Sequence, residues 1–169
     1  VPWELIAEQV HARNSDETHV AIEKSQLAVD RLESLESVFS DGDFSANLTP
    51  LIEKMRLIKS ADEIEKLKIA GKWDDFALQK GFEAVALGKT EDQIAADLQY
   101  ALMQNGIMEL SFPSLVQAGA HAAEPHGATS ENQVQNNQLV LFDLGTVWQG
   151  YISDASRTVA VGKPEEKSM

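Results

Sequence analysis

The stretch LVLFDLGTVWQGYISDASRTVAV, Leu139 to Val161, constrains this chain more than any other. Two runs rich in Val, Leu, Ile and Thr flank a Trp-Gln-Gly segment, which reads as two strands joined by a tight turn. Such strands should be apolar where they are buried, yet Asp143 interrupts the first and Asp154 follows eleven residues later. A turn on Trp148-Gln149 makes the two aspartates direct cross-strand neighbours, with Cβ atoms about 5 Å apart. A turn on Gln149-Gly150 makes them diagonal neighbours on the same face. In either register like charges meet on a sheet, which is destabilising. A divalent cation between them would reverse the sign. Hard oxygen ligands suit Mn²⁺, Mg²⁺ or Ca²⁺, and also Zn²⁺ with help from nitrogen. Two metals about 3.5–4 Å apart need more carboxylates than these two. In the plainer reading, Asp143 ends a strand before Gly145 and Asp154 makes an Asx-type turn with Ser156. Spacing alone leaves both open.

Upstream, the periodicity is helical. Ser60-Ala61-Asp62-Glu63 is a capping box, in which the hydroxyl accepts from the backbone near Glu63 and the Glu side chain reaches back. Ile64, Leu67, Ala70, Trp73, Phe76 and Ala77 then give one apolar helix face, with Gly88 as the expected stop. Thr90-Glu91-Asp92-Gln93 repeats the box, Ile94, Leu98 and Leu102 form the next stripe, and Gly106 ends it. LSFPSLVQAG reads as a strand, and AHAAEPHGATSENQVQNN as a long polar loop before the hairpin. The order is helix, helix, strand, loop, hairpin, an α+β arrangement.

The first fifty residues differ in character. HVAIEK (His19 to Lys24) reads as a short strand and LAVDRLESLESVF (Leu27 to Phe39) as an amphipathic helix. SDGDFSANLTP supplies turn residues, with Asp41 and Asp43 expected to be solvated. A strand–helix fragment of this size cannot hold a complete core alone. The expected division is therefore residues 1–50 as the C-terminal part of a small α/β domain, 51–59 as linker and 60–169 as a second domain.

Composition narrows the function classes. The net charge is −13, from 14 basic and 27 acidic residues, which argues against nucleic acid or an anionic membrane as the main partner. There is no cysteine, so thiolate metal sites, a Cys nucleophile and disulfides are excluded. This fits the reducing cytoplasm, the expected location. No apolar run has the length of a membrane span. The opening residues lack the basic and apolar regions of a secretory signal.

His126 lies in EPHGATS, between a proline and a glycine that restrict the backbone. It reads either as an acid–base or donor group at the mouth of a site or as a solvent-exposed loop histidine. His121 reads as a bystander.

SFPSLVQAGAHAAEPHG followed by VLFDLGTVWQGYISDASRTVAVG resembles the Xaa-Pro dipeptidase (prolidase) and aminopeptidase P family of metallopeptidases, whose fold is called pita bread. The likeness covers residues 60–162 in element order and in the placing of PHG, DLG and SD. Residues 17–59 resemble the tail of the small N-terminal domain of these enzymes. The resemblance implies a partial pita-bread (creatinase/aminopeptidase-like) catalytic domain. It also implies hydrolysis of dipeptides with proline at the second position, by two divalent metal ions, often Mn²⁺. Asp143 would bind one metal and Asp154 would bridge both. His126 would contact substrate and help hold the developing charge. Tyr151, Ser156 and Arg157 would support them, Ser156 standing where the family commonly has Thr.

The family completes its metal site with a His and two Glu well downstream. Here no His follows Asp154, and Glu165 and Glu166 lie too near the hairpin. The expectation is a middle fragment that is inactive alone, leaves an apolar sheet face uncovered, and belongs to a homodimer at full length. Alternatives are cleavage of longer Xaa-Pro peptides, a non-catalytic binding module of the same fold, and a metal-free creatinase-like amidinohydrolase. Retention of both aspartates and His126 argues against the last two. A methionine aminopeptidase would generally lack the small N-terminal domain.

Overall fold

A computed structural model describes residues 3–13, 19–39 and 42–164. The chain divides into two compact units, one within residues 1–59 and one within 60–169.

Among the described residues the first unit has three helices, α1 (Trp3–Arg13), α2 (Val29–Val38) and α3 (Thr49–Leu57). Its core is small: Ala7, Ile22, Phe39 and Phe44, with Leu27, Leu32 and Leu35 packed beside them. α2 forms over the expected amphipathic stretch. The segment expected as a strand over His19 to Lys24 is extended but makes only isolated parallel bridges, His19↔Asp43 and Ile22↔Asn47. The partner segment turns at once into α3, whose second residue is Pro50, so no ladder can build. α3 itself occupies most of residues 51–59, read above as linker. Asp43 is held rather than merely solvated. Ser45 donates to it through backbone and hydroxyl, and His19 Nδ1 lies 2.9 Å from its carboxylate. These contacts, the Ser45 amide first, lower its pKa. Asp41 lies outside the described residues.

The second unit begins with α4 (Ala61–Ala84), and both halves of its capping box form. Glu63 N–H donates to Ser60 Oγ at 3.3 Å, and Ser60 N–H donates to the Glu63 carboxylate at 2.7 Å. Thr90 and Gln93 do the same for α5 (Glu91–Gln104). Beyond α5, Gly106 adopts φ +82°. Its N–H bonds Met103 O and the Ile107 N–H bonds Leu102 O, the Schellman closure. α4 stops at Ala84, short of Gly88. The Gly88 N–H donates to Val134 O and Lys89 O accepts from Val134 N–H, so this stretch pairs with the long loop and cannot continue the helix.

Strands β1 (Leu115–Ala118), β2 (Gln138–Leu144) and β5 (Ala155–Val161) form an antiparallel sheet in the order β1-β2-β5. β3 (Val147–Trp148) and β4 (Tyr151–Ile152) form the hairpin tip. Gln149 and Gly150 take φ +49° and +81°, the paired left-handed geometry of a two-residue turn whose twist matches the strands. The register follows from it: Trp148 opposes Tyr151 and Asp143 opposes Ser156. This is the second of the two registers considered above. Only Leu115–Ala118 of the expected LSFPSLVQAG strand is regular, because Pro113 interrupts its start. Leu110 bridges Thr146 instead. One 3₁₀ turn, Gly119–Ala123, starts the loop after β1.

Alternation gives the sheet two unlike faces. Val116, Ala118, Val140, Phe142 and Leu144 pack on Ala77, Leu78, Ile94, Leu98 and Leu102 of the helices, all buried. Gly81 admits Phe142: a Cβ there would sit 2.6 Å from the ring. The opposite face carries Gln117, Leu139, Leu141, Asp143, Ser156 and Thr158. No helix among the described residues is long and apolar enough to cross a membrane.

Candidate functional site

The open sheet face gathers the acidic pair. Asp143 is half-buried on β2, and its Oδ1 accepts from the Ser156 hydroxyl at 2.8 Å across the strand pair. Asp154 is exposed just before β5. It lies two residues before Ser156, so the pleat carries it to the same face, diagonal to Asp143.

A break in the ladder fixes Asp154. Between β4 and β5 the Ser153 side chain replaces a backbone partner: Thr146 N–H donates to Ser153 Oγ at 3.1 Å. The Ser111 hydroxyl donates to Ser153 O at 3.0 Å, and Ser111 N–H donates to Gly145 O. The space is closed, since a Cβ on Gly145 would lie 2.1 Å from both Ser111 Oγ and Ser153 O. Glycine is therefore required in DLG for close approach of three segments, and the residue before Asp154 is held on both sides.

His126 is exposed in the loop after the 3₁₀ turn. Gln117, on the same sheet face as Asp143 and fully buried, donates through Nε2 to Glu124 O at 3.3 Å. A Cβ on Gly127 would stand 2.1 Å from that nitrogen. The Pro-His-Gly segment thus lies against the sheet over Gln117, which opposes Leu141, two residues before Asp143. Gln117 Oε1 has no hydrogen-bond partner among the described residues.

The three expected supporting residues separate. Ser156 joins Asp143 directly. Tyr151 instead donates its hydroxyl to Glu63 at 3.0 Å, with Lys66 over its ring. That bond, with burial second, raises the Tyr151 pKa, and the contact ties the hairpin tip to the start of α4. Arg157 opposes Phe142, one residue out of phase with Ser156, and its guanidinium bonds Ser156 O.

Two buried carboxylates were not anticipated. Asp74, on α4, is 2% exposed, and its Oδ1 has no partner among the described residues. Burial raises its pKa, the Ser153 and Thr146 hydroxyls and the Thr146 amide oppose this, and the charge of Asp154 adds to the rise. The signal was present: Asp74 falls four residues after Ala70 and four before Leu78 on an apolar face. Glu91 is 0% exposed and accepts from Ala118 N–H, Ser130, Asn132 and His121. Burial opposes its charge, but these donors outweigh it and the pKa is lowered. His121 is thus a partner of Glu91. Nothing local marks Glu91, whose partners lie 27 to 41 residues away.

The donors suit a hard divalent cation in kind, being carboxylate oxygens on one face. They do not complete a site: among the described residues, no three His, Cys, Asp or Glu side chains converge as metal ligands. Asp143 and Asp154 can supply part of a ligand set and no more.

The sequence pattern of metallopeptidase family M24 matches residues 65–169. The chain is 47% identical over 167 residues to an Xaa-Pro dipeptidase of Lactobacillus delbrueckii subsp. lactis, covering 98% of this chain and 45% of that one. Among solved structures, the prolidase of Pyrococcus horikoshii superposes with a TM-score of 0.87 at 30% identity, over 98% of this chain and 46% of that one. The X-Pro aminopeptidase of Thermotoga maritima does so with a TM-score of 0.86 at 26% identity, over the same shares. The fold is accordingly the pita-bread fold in part, and the chain spans a little under half the length of the relatives it matches.

Proposed function

Because the chain belongs to metallopeptidase family M24, we propose that it forms part of an enzyme hydrolysing dipeptides with proline second. The observation that carries this reading is the placement of Asp143 and Asp154 on the sheet face turned away from the helices, in a chain so similar to an Xaa-Pro dipeptidase. Residues 60–169 are the first half of the catalytic domain. Residues 1–50 are the end of a small α/β domain, joined to it through 51–59.

In this reading Asp143 and Asp154 hold the divalent ions, with Mn²⁺ the expected metal. When bound, the ions act as Lewis acids on water and the peptide carbonyl. The Ser156 hydroxyl occupies one Asp143 oxygen and so fixes which lone pairs point outward. The ladder break at Ser153 aims Asp154. The exposed His126 imidazole donates to the oxygen that gains charge as the carbonyl is attacked. The enzyme is expected to be cytoplasmic and homodimeric, with a peptide as its substrate rather than nucleic acid or membrane.

A second reading, removal of the first residue from longer Xaa-Pro peptides, draws support from the similarity to the Thermotoga aminopeptidase. The product of the complete gene, assayed with Mn²⁺ on Leu-Pro and on Leu-Pro-Gly, separates the two. Cleavage of the dipeptide that Asp143→Asn abolishes supports the first. Cleavage of the tripeptide alone moves the assignment to the second. Failure on both, with no Mn²⁺ bound, sinks both.

A further inference from the structure

We propose that Glu91 and His121 form a clasp that positions His126, so that both act in the reaction without touching substrate. The inference rests on the reading of His126 given above. The loop that carries His126 leaves the sheet at Ala118, regains the core at Val134 and rejoins the sheet at Gln138, and one carboxylate ties both limbs. On the outgoing limb, Glu91 accepts from Ala118 N–H at 2.7 Å and from His121 Nδ1 at 2.8 Å. On the returning limb it accepts from Ser130 N–H at 3.1 Å, from the Ser130 hydroxyl at 2.8 Å and from Asn132 Nδ2 at 2.8 Å. Asn132 also donates to Ala118 O at 3.1 Å, closing limb to limb. The first turn of α5 adds its free amides: Glu91 N–H bonds Asn132 O and Asp92 N–H bonds Ser130 O.

From the clasp to His126 the connection is short. His121 O accepts from Glu124 N–H, and Glu124 O accepts from Gly127 N–H, each at 3.0 Å. His126 lies between those two bonded residues. The His121 ring is 20% exposed, and its Nε2 faces the Glu124 carboxylate at 3.8 Å. The imidazole therefore spans the buried carboxylate and Glu124, the residue that precedes the Pro-His-Gly segment. A fully buried carboxylate is a costly anchor. Backbone bonding alone would close a loop, whereas five donors on one rigid group set its position as well.

The test uses the product of the complete gene with His121→Leu and His121→Asn. The Asn amide nitrogen stands where Nδ1 does and can still donate to Glu91. Expected for His121→Leu are faster hydrogen exchange confined to residues 119–132 and a drop in kcat on Leu-Pro of about tenfold or more, with KM nearly unchanged. His121→Asn should restore both. Unchanged exchange and kcat in His121→Leu would overturn the clasp, as would equal loss in both variants with lowered melting temperature, which marks a general stability role. If the unmutated protein does not cleave Leu-Pro, the peptidase reading fails, and exchange alone decides the clasp. Protection lost in Leu and regained in Asn supports it, and no change refutes it.

Discussion

At the residue scale, a buried group answers to the polarity of its partners more than to its depth. Four neutral donors and His121 surround Glu91, and of the four only the Ser130 hydroxyl, which already accepts from Asn132 N–H, can also accept. In Glu91→Gln the new amide would point N–H groups at donors, at a cost of about 1–3 kcal/mol for the groups left unpaired. The pH dependence has a definite sign. The folded pKa lies below the ordinary 4.5, so the carboxylate contributes stability above that value and loses it as the pH falls through the folded pKa. Calorimetric melting curves should therefore show the gap between wild type and Glu91→Gln widest near neutrality and closing in acid. A gap independent of pH would mean that shape, not charge, matters at this position. Gly127 obeys the same logic on the steric side. The Gly127→Ala methyl would meet the fully buried Gln117 amide nitrogen 2.1 Å away, with Glu124 Cβ and O at 3.2 Å beside it. The segment must shift, so kcat on Leu-Pro should fall by about a hundredfold in steady-state assays, with little change in KM.

Elements record which signals are local. The two capping boxes and the Gly106 closure form as their residues dictate, because each needs only atoms within one turn. The failures are non-local. The strand expected over His19 to Lys24 lacked a partner long enough to build a ladder, and α4 ended early because Val134, nearly fifty residues on, takes the Gly88 and Lys89 backbone groups. The hairpin register lay between two choices until the turn was known. Gln149 sits at φ +49° where Asn or Gly is preferred. Gln149→Asn should thus raise the melting temperature slightly, and Gly150→Ala, at φ +81°, should cost about 1–2 kcal/mol. The sign at Gly81 depends on packing. Ala for Gly inside a helix ordinarily gains about 1 kcal/mol. Here the added methyl would stand 2.6 Å from the Phe142 ring at the centre of the sheet, and overpacking of this kind costs about 1–3 kcal/mol. Chemical denaturation should show Gly81→Ala destabilised, and a stabilised variant would mean that Phe142 can swing aside.

For the molecule as a whole, the legible part of the site is the part that one hairpin carries. Asp143, Asp154 and Ser156 fall on one face by alternation alone, whereas Ser111, which bonds Ser153 O beside Asp154, and the buried carboxylates Glu91 and Asp74 come from segments that meet only when the chain folds. Ligand count sets the limit on activity. A pair of divalent ions needs more donors than two carboxylates can share, and among the described residues no third ligand converges on them. Each ion would keep most of its water shell and be held by about one charged group, an interaction weak in solvent and further screened by salt. The 169 residues alone should therefore bind Mn²⁺ only weakly and leave Leu-Pro intact. The two properties are separable. Titration calorimetry on the isolated chain should give weak heats that Asp143→Asn and Asp154→Asn each abolish, and the dipeptide assay should stay at background throughout. In the complete protein the same substitutions should remove turnover without unfolding the enzyme, because both side chains lie on the face away from the core. Tight Mn²⁺ binding or measurable turnover by the isolated chain would place the missing ligands within these residues or across a second copy of them, and the ligand count argued here would be wrong.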